Sequence, residues 1–370
     1  MASKAFDISK LRKNLTKNIQ GISSGFKDPS IWIDTGSYLL NYLISGGFYR
    51  GVPLGKVTVF GGQPGSGKSY IVSGNIIRNA QKQGIIPILI DSENALDEAW
   101  LKPLGVDTDE SKLLKLNMAM VDDAAKTIND TIKDYKLIPE EDRPPLLFVI
   151  DSLGMMLTPS DEKQFEEGDL KGDMGRKAKA LTALVRNCVN KFGELNIGLV
   201  ATNHSYESQD MFNPDDKISG GLGFIYAASI VVALQKFKLK ENKEGTKVAD
   251  VRGIRSKVKV MKTRFNQPFQ EAELKIPWDT GLDPYTGLFE FFLAKNILSK
   301  DGHKYSYSSL DNSKHSYYKK DWWDNTNNCL DLVMSEFDKI YDPKSGTLSL
   351  SVEDVNKILE NADDMEEQNV

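Results

Sequence analysis

Apolar residues gather in five short runs, at 57–60, 85–90, 146–150, 197–202 and 230–234, with polar or amphipathic stretches between them. Short continuous apolar runs predict buried strands, and the segments between the first four are long enough to hold crossover helices. Strands apolar along their whole length, alternating with helices, predict an α/β fold. Its sheet is mostly parallel, covered on both faces, and reactive at the strands' carboxyl ends. Helices are legible too. Asp34-Thr35-Gly36-Ser37 is an N-cap signal ahead of an apolar stretch, 38–43, that Gly46-Gly47 closes. A helical pattern runs over 70–83. Another places Leu181, Leu184, Val185, Cys188, Val189 and Phe192 at i, i+3, i+4, i+7, i+8 and i+11. Two more strands are expected at 257–264 and 272–276, joined through Gln267-Pro268. Residues 159–175 and 205–223 lack a period and read as long loops, which in a compact domain are uncommon unless functional.

The pattern divides the chain. Residues 1–31 are polar and basic, with Ile8, Leu11, Leu15 and Ile19 spaced for one short amphipathic helix. That segment fits either a solvated arm or a piece that packs on a neighbouring subunit. The main domain is expected over 32–295. From Asn296 the chain becomes polar and aromatic-rich, with Trp322-Trp323, which suggests a small C-terminal subdomain over 296–360. The acidic end, 361–370, is expected to be disordered.

Composition narrows the class. Of 370 residues, 40% are apolar and 27% charged, as in a globular protein with a real core. No run approaches the roughly 20 apolar residues that span a bilayer, and the N-terminus has no apolar signal core, so a cytoplasmic protein without membrane contact is expected. Cys188 and Cys329 stand far apart and near no histidine cluster, which fits reduced thiols. The net charge of −5 means that any nucleic-acid binding needs a local basic surface.

Candidate chemistry sits where the predicted strands end. After the first comes Gly62-Gln63-Pro64-Gly65-Ser66-Gly67-Lys68-Ser69, followed by Tyr70 and its helix. Glycines let backbone N–H groups face an anion, the helix start favours phosphate, Lys68 reaches the β- and γ-phosphates, and Ser69 completes a Mg²⁺ shell. The second strand leads into Asp91, Glu93 and Asp97. Glu93 is the best candidate general base for a water attacking a γ-phosphate; the alternative is that Asp91 and Glu93 cap the next helix. Trp100 is either core or a platform for an adenine ring. Asp151, after the third run, has the position of a Walker B carboxylate that holds Mg²⁺ through water. His204, closing the fourth, is placed to sense nucleotide state. Arg176, Lys177, Lys179 and Arg186 border the first long loop, and Ser219, Gly220 and Gly221 lie in the second. Such loops suit a phosphodiester backbone, or are solvated surface. Lys262 and Arg264, at i and i+2 of a strand, either block an edge or act on a phosphate across a subunit boundary.

Five blocks occur in the order found in RecA-family recombinases. They are Asp34-Thr35-Gly36-Ser37, the phosphate loop, Asp91-Ser92-Glu93-Asn94-Ala95-Leu96-Asp97, Ile150-Asp151-Ser152 and Val258-Lys259-Val260-Met261-Lys262. The chain resembles that family over residues 32–295. The stretch Asn203-His204-Ser205-Tyr206-Glu207, the stretch 281–287 and the acidic tail look most like its bacteriophage branch, since bacterial members carry Gln where this chain has His204. The resemblance implies a RecA-like P-loop ATPase core using ATP and Mg²⁺, with Glu93 as the catalytic glutamate. It implies that Trp100, Asp97 and Tyr285 lie at the nucleotide, and that Lys262 and Arg264 reach into a neighbour's ATP site. The two loops would bind single- and double-stranded DNA, with Lys179, Arg186, Gly220 and Gly221 at contacting positions. The first 30 residues would dock on the next protomer of a helical homo-oligomer, with strand exchange as the activity. The acidic tail would either repel DNA from the monomer or dock a mediator or single-strand-binding protein. Two alternatives stay open: a hexameric helicase of the same core fold, and a non-catalytic ATP-binding mediator.

Overall fold

The computed structural model describes residues 7–18, 28–168, 175–206, 217–241, 245–342 and 347–348. Its centre is one sheet, built from β1 (Val57–Gly62), β2 (Ile86–Asp91), β3 (Leu114–Asn117), β4 (Leu146–Asp151), β5 (Ile197–Tyr206), β6 (Ile230–Leu239), β7 (Gly253–Lys262) and β8 (Glu271–Pro277). The strand order is β8-β7-β6-β1-β5-β4-β2-β3. From β6 through to β3 every neighbour is parallel, whereas β7 runs antiparallel to both β6 and β8. The five expected apolar runs therefore all lie in the parallel part.

Every residue of β1 and of β4 is buried, because both faces of the sheet are covered. One face packs on Tyr38–Ser45 and on the helix behind β1, which is π-helical over Tyr70–Ile76 and α-helical over Ile77–Lys82. The other packs on Val121–Leu137, Arg176–Phe192 and Gly221–Ala227. Phe148 of β4 is fully buried and stacks on Phe192 at 6.1 Å. Burial of one such side chain is worth about 2–3 kcal/mol. Helix Tyr38–Ser45 ends as expected. Ser37 Oγ accepts the Leu40 amide, and Gly46 closes the helix with φ 78°, a left-handed conformation that glycine adopts without strain.

Four expectations change. The stretch read as a long first loop begins with a helix, Pro159–Glu166, held by a capping box between Thr158 and Asp161, with proline in its first turn. None of its residues is buried, so it carries no apolar period to read. Within the second stretch, Lys217–Ile218 pairs with Ser205 and Tyr206, and Gly221–Ala227 is helical. β3 was not expected. It is the outer edge strand, with Leu114 47% exposed, and has no continuous apolar run. β7 starts earlier than expected and stops at Lys262 after a register shift, so Arg264 lies beyond it and the i, i+2 argument for a shared direction fails.

Residues beyond 295 form an antiparallel sheet, Ser299–Asp301, Lys304–Ser308 and Lys314–Tyr317, and helix Cys329–Ile340. Phe337 of that helix meets Tyr42, Phe48, Phe291 and Phe292, which joins this part to the first face's core. The acidic tail at 361–370 lies outside the described residues, as do 169–174 and 207–216 of the two loops. Among the described residues, no helix is long and apolar enough to cross a membrane.

Candidate nucleotide site

Register assembles the site. Gly62 at the end of β1 lies opposite His204 of β5, and Asp151 of β4 lies opposite Asp91 of β2. Ile150 pairs with Ala201, which completes the link between the two pairs. The phosphate loop, Asp91, Asp151 and His204 therefore leave the sheet at one edge, the carboxyl end of the parallel strands, where α/β folds bind ligands.

The loop at 62–69 is shaped by its glycines. Gly65 and Gly67 have φ of 71° and 97°, and a Cβ at Gly62 would lie 2.5 Å from the Leu234 carbonyl oxygen. Ser66 is fully buried, and its hydroxyl is one of the buried polar groups without a hydrogen-bond partner among the described residues. The Lys68 ammonium, 7% exposed, donates to the carbonyls of Gly62 (2.8 Å) and Gln63 (3.0 Å). Burial lowers its pKa from the ordinary lysine value, while Asp151 and Glu93 act in the opposite direction. Lys236 of β6, a residue the sequence pattern did not single out, donates to the Pro64 carbonyl at 2.8 Å. The glycine cradle, the orphaned hydroxyl and the buried ammonium fit a polyphosphate. Asp151 is 5% exposed and accepts hydrogen bonds from Ser73 (2.7 Å) and Thr202. A carboxylate has about four acceptor sites, so Asp151 retains capacity for the water shell of a Mg²⁺ that Ser69 would ligate.

The three carboxylates after β2 separate by role. Asp91 is fully buried; it accepts the amides of Glu93 (3.2 Å) and Leu96 (3.0 Å) and pairs with Lys115 at 3.1 Å. Asp97 caps helix Glu98–Leu101 through the Trp100 amide at 2.8 Å. The helix cap is therefore Asp97 and not Asp91 or Glu93; Asp91 instead ties down the loop that precedes the helix. Glu93 differs: its side chain is 35% exposed, and Oε1 accepts the Ser152 hydroxyl at 2.8 Å with His204 Nε2 at 3.5 Å. Trp100 is half-buried against the first face's core. Tyr70 accepts the Leu282 amide at 3.1 Å, which brings the 281–287 stretch to the start of the phosphate-loop helix. Tyr285 in that stretch packs edge-on to Tyr38 and donates its hydroxyl to Asp331 at 3.0 Å. Burial, then that bond, raises its pKa above the ordinary tyrosine value.

His204 is tied to the second loop by its backbone. Its carbonyl accepts the Ser219 amide at 2.9 Å, and Asn203 Nδ2 donates to the Ser219 carbonyl at 2.7 Å. Gly220 and Gly221 follow with φ of 101° and 79° and open helix Gly221–Ala227. Arg176, Lys179 and Arg186 are exposed, and their spacing places them on one side of Arg176–Phe192. Lys177 is turned inward and donates to the Gly154 carbonyl at 2.6 Å; burial lowers its pKa, with Asp161 opposing.

Lys262 stands apart. It pairs with Val231, which pairs with Val59, three residues before Gly62 and two strands over. That is about 10 Å short of the site along the strand direction. Its ammonium donates to the carbonyls of Tyr226 (2.6 Å), Ala228 (2.6 Å) and Ile225 (3.3 Å), at the end of Gly221–Ala227. Burial, then the neighbouring Arg264, lowers its pKa. Arg264 itself is exposed. The site residues that sequence pattern missed are Ser152, Ser92 and Thr202, hydroxyls beside strand-end carboxylates, and Gly154, which lies under the His204 ring. Adjacency to Asp151 was the available signal for Ser152.

The family model for the RecA N-terminal domain matches residues 8–283. Among curated proteins, Protein RecA of Aquifex aeolicus is 29% identical over 276 residues, covering 74% of this chain and 74% of that protein. Protein RecA of Thermus aquaticus is 30% identical over 278 residues, covering 74% and 75%. Protein RecA of Clavibacter michiganensis is 28% identical over 291 residues, covering 78% and 74%.

Proposed function

Because the chain belongs to the RecA family of DNA-dependent ATPases that act in recombination and repair, we propose that it forms helical filaments on single-stranded DNA and catalyses homologous pairing and strand exchange. The observation that carries this reading is the register of the sheet. The phosphate loop, Glu93 and His204 share one edge, while Lys262 lies toward the other and cannot reach its own chain's loop. A phosphate that Lys262 and Arg264 read therefore belongs to another protomer, and such a head-to-tail contact propagates into a filament unless it closes.

In this reading Lys68 holds the β- and γ-phosphates, Ser69 and Asp151 hold Mg²⁺, and Glu93 orients and deprotonates the attacking water. The Mg²⁺, when bound, offsets phosphate charge. Trp100, Asp97 and Tyr285 border the base. His204 reports on the nucleotide to the loop that ends at Ser219. Arg176, Lys179 and Arg186, with the Ser219-Gly220-Gly221 turn, follow the DNA backbone, where sequence readout is unnecessary because base pairing supplies it. The protein works in the cytoplasm, and His204 with the 281–287 stretch favours kinship with the UvsX recombinases of T-even-type bacteriophages. The acidic tail would dock a mediator or single-strand-binding protein.

ATP turnover measured with and without single-stranded DNA, alongside electron microscopy of the same samples, tests this reading. DNA-stimulated turnover with helical filaments is the expected result. Closed rings would favour a hexameric helicase, and absent turnover a nucleotide-binding mediator; either would overturn it.

A further inference from the structure

We propose that Ser152 is a positioning residue that aims the Glu93 carboxylate, an inference that rests on Glu93 as the general base. Ser152 is 1% exposed, yet its hydroxyl faces two polar groups: Glu93 Oε1 at 2.8 Å and His204 Nε2 at 3.4 Å. Its backbone is held from both sides by one neighbour. Ser92 Oγ accepts the Ser152 amide at 2.9 Å and donates to the Ser152 carbonyl at 2.6 Å. The Ser92 amide in turn donates to the Asp151 carbonyl at 2.9 Å, so the ends of β2 and β4 are joined where the hydroxyl is presented.

Glu93 needs such a hold. Its side chain is 35% exposed, and a glutamate without a fixed partner keeps the rotamer freedom of a long side chain. Ser152 engages Oε1, which leaves Oε2 to take the proton as water oxygen adds to the γ-phosphorus and the bond to the β–γ bridging oxygen breaks, giving ADP and phosphate. The hydroxyl has a single proton and donates to one acceptor at a time. While it donates to Glu93, the His204 ring is held, among the described residues, by longer contacts at 3.4 and 3.5 Å. The imidazole can therefore swing toward the nucleotide without releasing the carboxylate. Ser152 thus keeps base and sensor adjacent but independent.

The test uses the full chain with single-stranded DNA and the variants Ser152→Ala, Ser152→Cys (similar volume, poor donor) and Glu93→Gln, alone and combined. The expected result is a kcat about tenfold lower in both Ser152 variants, with the KM for ATP within about twofold of the parent. Neither change should lower the residual rate of Glu93→Gln further, because the serine acts through that carboxylate. Unchanged kcat in both Ser152 variants, beside an inactive Glu93→Gln, would overturn the positioning role. So would a Ser152 effect that persists in the Glu93→Gln background. Full turnover by Glu93→Gln would instead strike down the base assignment itself.

Discussion

A Cβ built on Gly154 would lie 2.6 Å from Cδ2 of His204 and 2.8 Å from Oδ1 of Asn203, so any side chain there must displace the candidate sensor. The Gly154 carbonyl also receives Lys177 from the helix behind the first loop, which places this glycine between the candidate nucleotide site and that helix. Gly154→Ala is expected to lower DNA-stimulated turnover about tenfold while nucleotide affinity stays unchanged; equilibrium binding of a fluorescent ATP analogue beside the turnover assay separates the two. Lys68→Ala removes the buried ammonium that the proposed function sets against the phosphates and should reduce turnover by roughly 100-fold or more, with an unchanged circular dichroism spectrum. The two cysteines make a different prediction. Each is 2% exposed, and burial pushes Cys188 up to about 12 and Cys329 up to about 11. A raised thiol pKa keeps the group protonated and unreactive until the pH approaches that value. A disulfide reagent at pH 8 should find no reactive thiol in the folded protein and both after denaturation.

Helix Gly221–Ala227 has its C-terminal carbonyls covered by Lys262, an ammonium from a strand more than thirty residues later. The cap and the proposed contact with a neighbour's phosphate use the same group, so an ammonium that crosses the interface uncovers the helix next to the second loop. Lys262→Ala is expected to speed hydrogen exchange in residues 221–227 about tenfold, matching the loss of one charge-assisted cap of about 1.4 kcal/mol. The same variant should bind nucleotide normally and lose DNA-stimulated turnover; full turnover would refute the role between protomers. Elements differ in how well their residues announce them. β1 and β4 are apolar throughout because helices cover both faces, and they were read correctly. No residue of Pro159–Glu166 is fully buried, so its only local marks are the Thr158–Asp161 cap and the proline of its first turn. β3 is an edge strand whose pairing with β2 comes from the sheet and not from its own residues.

At the scale of the molecule, helix Ile8–Asn18 buries none of its residues and exposes Ile8 at 66%, Leu11 at 39% and Leu15 at 40%. An apolar stripe on a basic helix that finds no place among the described residues of its own chain suits the surface of another copy. Removal of residues 1–31 is expected to abolish filaments in electron micrographs and DNA-stimulated turnover, while each protomer still binds nucleotide. Filaments of normal length from the truncated chain would refute this use of the arm.

The nucleotide loop, Glu93 and Asp151 were legible along the chain because their chemistry is local: glycines, a lysine and carboxylates at the ends of apolar runs. The division of labour among the acidic residues was not. Asp91, Glu93 and Asp97 are alike in sequence, and only the tertiary structure buries Asp91 against Lys115, sets Asp97 at a helix N-cap and leaves Glu93 partly exposed beside the Ser152 hydroxyl. Nor was the position of Lys262. Which edge of the sheet a side chain reaches depends on strand direction and register, which arise from pairing between distant segments and not from any stretch of residues taken alone.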